Sequence, residues 1–186
     1  MGQDLPMTSY ALLGLLTFGD ELTGYELKQR ADNTLRFYWV SPAMSQVYTE
    51  LARLTEARLL RRRGEGRGTT YSLTAKGRRT LARWMHDTPA GFPVFKHPVA
   101  LRLMMGHLSD RASIRAMLEE YVAEVAAARA DLAGVRESLE SGDAAGQPFH
   151  HPAMVAEWGL AHFDSETAIA ERLLGQLAAE EDGPPE

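Results

Sequence analysis

Apolar residues in the first part of the chain are spaced in ways that predict short helices. The run from Tyr10 to Phe18 is almost wholly apolar and predicts a buried first helix that ends at Gly19-Asp20. Thr23-Gly-Tyr-Glu26 has the spacing of a capping box, in which threonine and glutamate side chains bond free backbone amides. A second helix is therefore predicted from about Gly24 to Leu35.

A third helix is predicted from Ser41 to Ala57, with Ser41 as N-cap and Pro42 at the first helical position. Its apolar positions are spaced by four and three and form one stripe that we expect to be buried: Val47, Leu51 and Leu54. At about 100° per residue, Gln46 and Tyr48 lie on the two flanks of this stripe. The residues opposite the stripe are Ser45, Thr49, Arg53 and Glu56.

Two strands follow, from Leu59 to Arg63 and from Thr69 to Leu73, joined by the glycine-rich loop Gly64 to Gly68. Thr74 then caps another helix that reaches about Met85. The order of three helices followed by a hairpin is that of a winged helix-turn-helix, which we assign to residues 1–88.

Residues 89–98 predict a linker, because three prolines and a glycine exclude a continuous helix there. Residues 99–186 predict a second, helical domain. It has a short helix over Val99 to Met105, a long helix from about Asp110 to Ser141, and a last helix that starts near Pro152. The acidic end of the chain, Glu180 to Glu186, is predicted to be frayed.

Apolar residues of the long helix repeat at spacings of four and three, which is the heptad pattern of a coiled coil. They run from Ile114 to Leu139. Such a seam needs a helical partner, and we expect a homodimer, since one thin chain offers too few helices to cover it. A helix of another protein, or a hairpin within the chain, is the alternative. The predicted dimerisation residues are Leu118, Tyr121, Val125, Leu132, Val135, Trp158, Ile169 and Leu173.

Charge is divided unevenly along the chain. Residues 53–83 carry ten basic and two acidic side chains, although the net charge of the protein is −5. A cationic segment beside a helix that fits a groove indicates binding to a polyanion, most plausibly double-stranded DNA. The acidic second half would repel phosphate and leave the first domain as the DNA-facing surface.

The residues predicted to bind DNA lie on the third helix and the hairpin: Ser41, Ser45, Gln46, Tyr48, Thr49, Arg53, Arg63 and Arg67. Gln46 and Thr49 would reach base edges, Ser45 and Tyr48 base or phosphate oxygens, and Arg53 a phosphate. Arg63 and Arg67 flank the hairpin tip and would enter a minor groove or clamp phosphates. Alternatively, Tyr48 covers the edge of the core, and the other side chains are only solvated. Strand alternation predicts that Arg61 and Arg62 point to opposite faces, so that one serves the fold.

The sequence gives no strong indication of membrane insertion, metal binding or catalysis. The chain has no cysteine, and no apolar run approaches the ~20 residues of a membrane span. We therefore expect a cytoplasmic protein that is not held in a membrane. His150, His151 and His162 lack a suitably spaced acidic partner, so we expect no metal and no cofactor. No nucleophile elbow or phosphate loop occurs, so no enzymatic activity is expected.

Four ordered segments resemble the PadR family of bacterial transcriptional regulators. They are Tyr10-Ala-Leu-Leu-Gly-Leu-Leu16, Leu22-Thr-Gly-Tyr-Glu-Leu27, Ser41-Pro-Ala-Met-Ser-Gln-Val-Tyr48 with Leu51-Ala-Arg-Leu54, and Thr70-Tyr-Ser-Leu-Thr-Ala-Lys-Gly77. The resemblance covers about Thr8 to Met85, and beyond it only the plan of a long helical arm is similar to the virulence-activator-like subgroup. The family commonly has glycine where this chain has Arg58.

The resemblance implies a homodimer that binds an inverted-repeat operator, usually as a repressor. Some relatives are released by small aromatic or hydrophobic molecules, and the candidates for such a ligand here are Tyr121, Trp158 and Phe163, unless they only form the dimer core. The predicted fold is mainly α with a small β-hairpin: an N-terminal winged helix-turn-helix and a C-terminal antiparallel arm of long helices. The alternative function is a protein-interaction adaptor whose winged helix has lost DNA recognition, suggested by Arg58 and by the net negative charge.

Overall fold

The computed structural model describes residues 5–19, 21–93 and 96–181, and for Arg67, Glu180 and Glu181 it describes the backbone alone. Asp20, Val94, Phe95 and residues 182–186, which include parts of the predicted linker and acidic tail, lie outside the described residues. The described part has this order of elements: α1 (Met7–Leu15), β1 (Leu22–Thr23), α2 (Gly24–Thr34), α3 (Met44–Glu56), β2 (Leu60–Arg63), β3 (Thr70–Leu73), α4 (Ala75–Asp87), α5 (Pro98–Met104), α6 (Arg111–Ser138) and α7 (His150–Glu181).

The chain consists of two compact units, of which the first ends at Gly91 and the second begins at Phe92. The first unit holds α1 to α4 and a three-stranded sheet, and the second holds α5 to α7. The predicted fold class, mainly α with a small β-element in a winged helix, is confirmed. None of the helices in the described ranges is both long and apolar enough to cross a membrane.

Leucines from every helix of the first unit form its core. The most deeply buried side chains are Leu12, Leu13, Leu16, Leu27, Val47, Leu51 and Leu54. At one edge of the core, the rings of Tyr10 in α1 and Trp84 in α4 stack with centroids 4.6 Å apart. This contact fixes α4, the last helix of the unit, on the first.

The sheet has the strand order β1-β3-β2, and both pairs are antiparallel. Sequence analysis predicted the β2–β3 hairpin but missed β1, because two residues are too few to show an alternating pattern. Leu22 of β1 lies opposite Tyr71 of β3. The hairpin loop contains Gly64 and Gly66 at φ values of 83° and 60°, which glycine adopts without steric cost.

Two predicted helix caps are present. The Thr23 side chain accepts from the Glu26 backbone N–H at 3.2 Å, and Glu26 accepts from the Thr23 backbone N–H at 2.7 Å, so the capping box of α2 is complete. The Thr74 hydroxyl accepts from the Gly77 backbone N–H at 3.0 Å at the start of α4. These reciprocal bonds satisfy amides that helix starts leave without partners.

The predicted start of α3 is wrong. The helix begins at Met44 after Ala43, which makes no side-chain capping bond. Ser41 is not the N-cap, because its hydroxyl donates to Asp32 Oδ1 of α2 at 2.6 Å. Ser41 therefore links the turn before α3 to α2 by a hydrogen bond, and Pro42 lies before the helix.

In the second unit, α6 and α7 pack side by side as an antiparallel hairpin. Arg129 of α6 binds Asp164 of α7 at 2.5 Å, and Arg136 of α6 binds Glu157 of α7 at 3.0 Å. Later residues of one helix thus meet earlier residues of the other. The seam residues Leu118, Val125 and Leu132 are buried within the single chain.

The expectation that one chain cannot bury this seam is therefore wrong. The reason is that α7 meets α6 with small side chains, which allow a close approach: Ala153, Ala156, Gly159 and Ala170. A Cβ built on Gly159 would lie only 2.6 Å from Leu132 Cδ2. Tyr121, Val135 and Leu173 are partly buried, whereas Trp158 is 76% exposed and Ile169 also lies at the surface.

Candidate nucleic-acid interface

The outward face of α3 carries polar side chains, as the helical spacing predicts. Ser45, Gln46 and Thr49 are exposed, while Val47, Leu51 and Leu54 on the other side are fully buried. The Thr49 hydroxyl donates to the Ser45 backbone carbonyl at 2.9 Å, which leaves its lone pairs available as acceptors. Packing thus fixes the helix by its apolar side and presents hydrogen-bonding groups to solvent.

Tyr48 has a contact at the edge of the domain core, which was the alternative interpretation of its position. Its ring lies over Gly24 at the start of α2, so closely that a Cβ there would meet Tyr48 Cε1 at 2.6 Å. The ring is nevertheless 49% exposed. Tyr48 therefore covers the edge between α2 and α3 with one side of its ring and faces solvent with the other.

Arg53 is exposed at the end of the polar face and forms an ion pair within its own helix. Its Nη1 lies 3.3 Å from Glu50 Oε1. Glu50 itself is buried among the apolar residues of α3. Sequence analysis missed Glu50, although its position three residues after Val47 and four before Leu54 places it on the buried stripe.

The turn from α3 into β2 has the hydrogen bonds of a Schellman motif. The Arg58 N–H donates to the Thr55 carbonyl and the Leu59 N–H to the Leu54 carbonyl, both at 2.9 Å. Arg58 occupies the left-handed region with φ 59°. Arginine thus adopts the conformation for which glycine is usual, and the helix-to-strand turn keeps its geometry.

Strand β2 presents its arginines to solvent. Arg61, Arg62 and Arg63 are all exposed, and only Leu60 of this strand is buried. The expectation that one of Arg61 and Arg62 serves the fold is wrong, because both side chains are exposed, and it is β3 that packs Tyr71 and Leu73 against the core. The hairpin is therefore cationic on both faces.

Arg63 has an acidic neighbour, Glu21, which is the residue just before β1. Its Nη1 lies 3.4 Å from Glu21 Oε1, and the other Glu21 oxygen accepts from the Thr70 hydroxyl at 3.2 Å. This exposed pair holds Arg63 beside the sheet while remaining accessible to solvent. The side chain of Arg67, the other residue predicted at the hairpin tip, lies outside the described residues.

Ser41 belongs to a network that joins α2 to the turn before α3. Asp32 accepts from the Ser41 hydroxyl and from Lys28 Nζ. The hydrogen bond from Lys28, followed by that from Ser41, lowers the pKa of Asp32. The network uses the hydroxyl hydrogen of Ser41 within the domain, and the DNA contact of Ser41 stays a prediction.

The three candidate ligand residues of the second unit do not share one face. Trp158 and Phe163 are five positions apart on α7, which is about 140° around a helix. The Tyr121 hydroxyl donates to Glu166 Oε2 at 2.8 Å, and His97 Nε2 lies 2.8 Å from the same hydroxyl. Burial, then the bond to Glu166, raises the pKa of Tyr121. Tyr121 thus joins a polar network between α6 and α7.

The histidines considered as metal ligands have other contacts. His150 Nδ1 lies 2.8 Å from the Asp143 carbonyl, and His162 Nε2 lies 3.9 Å from Glu166. Across the described ranges, no three or more histidine, aspartate or glutamate side chains converge in a way that could hold a metal ion.

Helices α1 to α4 with the three-stranded sheet form a winged helix-turn-helix, a class of DNA-binding domain. Residues 12–83 match the model of the transcriptional regulator PadR-like family, so this part of the chain is similar to that family. The predicted resemblance is confirmed. No curated protein sequence matches the chain significantly.

Solved structures similar to this chain extend over almost its whole length. The PadR-like regulator BC1756 from Bacillus cereus is 22% identical, with a TM-score of 0.78 over 92% of this chain and 98% of that one. Bacillus subtilis PadR in complex with operator DNA is 24% identical, with a TM-score of 0.78 over 92% and 99%. The virulence activator AphA of Vibrio cholerae is 22% identical, with a TM-score of 0.72 over 92% and 98%. These likenesses establish a shared fold.

Proposed function

We propose that the chain is a homodimeric transcriptional repressor that binds an inverted-repeat operator and has no enzymatic activity. The observation that carries the proposal is the division of α3 into two faces. Three polar side chains, Ser45, Gln46 and Thr49, face solvent. The opposite face of the helix, with Val47, Leu51 and Leu54, is buried in the core. A major groove about 12 Å wide admits one helix, so this face would meet base edges.

The cationic hairpin supports the same proposal. Arg61, Arg62 and Arg63 project from a strand that follows α3 directly, where they would bind phosphates on either side of the groove. Bacillus subtilis PadR, which has the same fold, forms a complex with operator DNA. In this protein we assign base reading to α3 and backbone binding to Arg53 and the hairpin.

Dimerisation would use apolar residues that the second unit leaves exposed. On α7 these include Trp158 and Ile169, and on α5 and the turn after it they include Leu101, Met104 and Leu108. None of the residues of α5 is buried within the chain. A second copy would remove these side chains from water, at about 25 cal/mol per Å² of apolar surface. Two copies would then place two α3 helices about 34 Å apart, one turn of DNA.

Release by a small aromatic molecule is a further part of the proposal. Bacillus subtilis PadR forms a complex with p-coumaric acid. Because Trp158 and Phe163 face different directions within one chain, a site that uses both would need a second copy. Titration of Trp158 fluorescence with planar phenolic acids tests this part, with Trp158→Phe as the control for the signal from Trp39 and Trp84.

The adaptor alternative was suggested by Arg58 and by the net negative charge, and the turn at Arg58 gives it no support. Arg58 adopts the left-handed conformation usual for glycine, and its N–H and that of Leu59 make the two bonds of the motif. No other contact in the described ranges favours a protein partner for α3 over DNA.

The decisive experiment is selection of bound duplexes from a random pool, with light scattering on the complex. We expect an inverted repeat occupied by two copies of the 20.6 kDa chain. Arg63→Ala should lower the slope of log affinity against log salt by about 0.9, the value for one lost phosphate contact. Arg172→Ala removes the same charge from the exposed surface of α7 and should leave this slope unchanged. A wild-type protein that selects no duplex would refute the proposal.

A further inference from the structure

Glu50 is a carboxylate on the buried side of the helix proposed to read DNA. It is only 5% exposed and lies between Val47 and Leu54 on the face that packs against the core. Every other buried residue of α3 is apolar. A glutamate at such a position has a large desolvation cost unless both of its oxygens find partners.

Each Glu50 oxygen has a partner of its own. The Ser9 hydroxyl of α1, which is fully buried, donates to Glu50 Oε2. Arg53 Nη1 lies 3.3 Å from Glu50 Oε1 and continues to the exposed face of α3. One residue thus connects the interior of the domain to a cation on the DNA-facing side.

The contacts of Glu50 restrict the rotation of α3 about its axis more narrowly than apolar packing does. Contacts between leucine side chains hold α3 against α1 but have no preferred direction, so they set the rotation of the helix less narrowly than a hydrogen bond does. A hydrogen bond keeps its strength only within a narrow range of distance and angle. The Ser9–Glu50 bond therefore fixes the rotation of α3, and this rotation decides which side chains point into a groove.

We propose that Glu50 is a positioning residue for sequence reading. Its bond to Ser9 sets the rotation of α3 on α1, and its ion pair holds Arg53 at the edge of the DNA-facing surface. The proposal rests on the proposed DNA-binding function. A buried polar group can serve specificity where an apolar residue would serve stability equally well.

The test compares affinity for the duplex selected by the wild-type protein with affinity for an unrelated duplex of equal length. Glu50→Met replaces the buried acid by an apolar side chain of similar volume but leaves the buried Ser9 hydroxyl without this partner, so circular dichroism is used to show that the variant folds. We expect the ratio of the two affinities to fall about tenfold, the order of one lost base contact. A ratio that stays unchanged in this folded variant overturns the proposal.

Ser9→Ala is a second, independent test of the proposal, which can be made even if Glu50→Met fails to fold. Ser9 is fully buried in α1 and cannot touch DNA, so any effect of this variant on sequence reading must pass through Glu50. The ratio of the affinities for the selected and the unrelated duplex should fall in the single variant Ser9→Ala. In the double variant that also carries Glu50→Met, Ser9→Ala should lower this ratio no further. Additive losses would show that the two residues act separately and would overturn the proposal.

Glu56→Gln is the matched control, because Glu56 is an exposed acid at the end of the same helix. It removes one negative charge and should strengthen binding to both duplexes alike, with the ratio unchanged. If wild-type protein prefers no duplex, the proposed function fails. If it prefers one and neither Ser9→Ala nor Glu50→Met lowers that preference, only the positioning role fails.

Discussion

Arg58 shows how one residue can keep a turn while departing from the usual choice at that position. A left-handed backbone brings the Cβ of any residue except glycine close to the carbonyl oxygen that follows. Two backbone bonds at 2.9 Å and the Thr74 hydroxyl, which donates to the Arg58 carbonyl at 2.9 Å, hold this conformation. The surrounding contacts, more than the preference of Arg58 itself, determine the turn.

Replacing Arg58 by glycine should stabilise the first unit. Relief of the left-handed conformation is worth about 1 kcal/mol, which urea unfolding followed by circular dichroism can measure. Arg58→Lys keeps both the charge and the conformational cost, so its unfolding midpoint should equal that of the wild-type protein. A glycine variant with an unchanged midpoint would show that Arg58 bears no such cost.

Asp32 should make stability depend on pH in the acid range. Its pKa lies below the ordinary 3.8 because Lys28 and Ser41 bond the carboxylate in the folded state. The stabilisation is therefore complete above about pH 5 and is lost as pH falls through the lowered pKa. Asp32→Asn should be less stable than wild type at neutral pH, and the difference should vanish in acid.

Urea unfolding at a series of pH values measures this difference. Glu65→Gln, which neutralises an exposed acid of the hairpin loop, is the control and should run parallel to wild type throughout. A difference between Asp32→Asn and wild type that is the same at pH 3 as at pH 7 would contradict the assignment.

Among the elements, α4 depends on a glycine for its position against the sheet. A Cβ on Gly77 would lie 2.2 Å from the Leu59 carbonyl oxygen, which is backbone and cannot swing away. The Thr74 hydroxyl accepts from the N–H of this glycine, and the Thr74 backbone N–H donates to the same Leu59 carbonyl at 3.1 Å. Helix α4 thus starts in contact with the beginning of the hairpin.

Gly77→Ala should destabilise the first unit by about 3 kcal/mol, since an overpacked site forces the backbone to shift. Gly14→Ala is the same substitution in α1, where nothing lies within 4 Å of the new methyl group. That control should raise stability by up to about 1 kcal/mol through helix propensity. Thermal unfolding compares the two, and equal midpoints would contradict the contact at Gly77.

Sequence pattern predicted the helices well where one face is apolar. The spacing of Val47, Leu51 and Leu54 identified the buried side of α3, and the Thr23–Glu26 spacing identified the start of α2. The pattern failed at β1, which has two residues, and at Ser41, whose hydroxyl had a choice of partners. A side chain takes the partner that the fold brings nearest, which local spacing does not reveal.

At the scale of the whole molecule, the heptad pattern of α6 was compatible with a partner helix from a second copy, from another protein or from the same chain. In the structure the partner is α7 of the same chain. Leu118, Val125 and Leu132 face α7 of the same chain, so they are not available to a second copy. Trp158 and Leu108 remain 76% and 78% exposed. The proposed dimer contact therefore moves from the heptad seam to these surfaces.

Trp158→Glu should convert the dimer to a monomer, because a carboxylate would be buried against the apolar surface of the other copy. Light scattering should give a mass near 20.6 kDa in place of twice that value. Gln176→Glu places the same charge at another exposed position of α7 and should leave the dimer intact. A Trp158→Glu variant that remains dimeric would exclude this face of α7 from the contact.

The sequence by itself determined the winged helix, the cationic hairpin and the outward polar face of α3, because each depends on local spacing and on residue type. Only the tertiary structure decided that Ser41 bonds Asp32, that Ser9 meets Glu50, and that α6 packs on α7. Those contacts join residues of different elements. Their formation depends on how closely whole elements approach, which the order of residues along one helix does not specify.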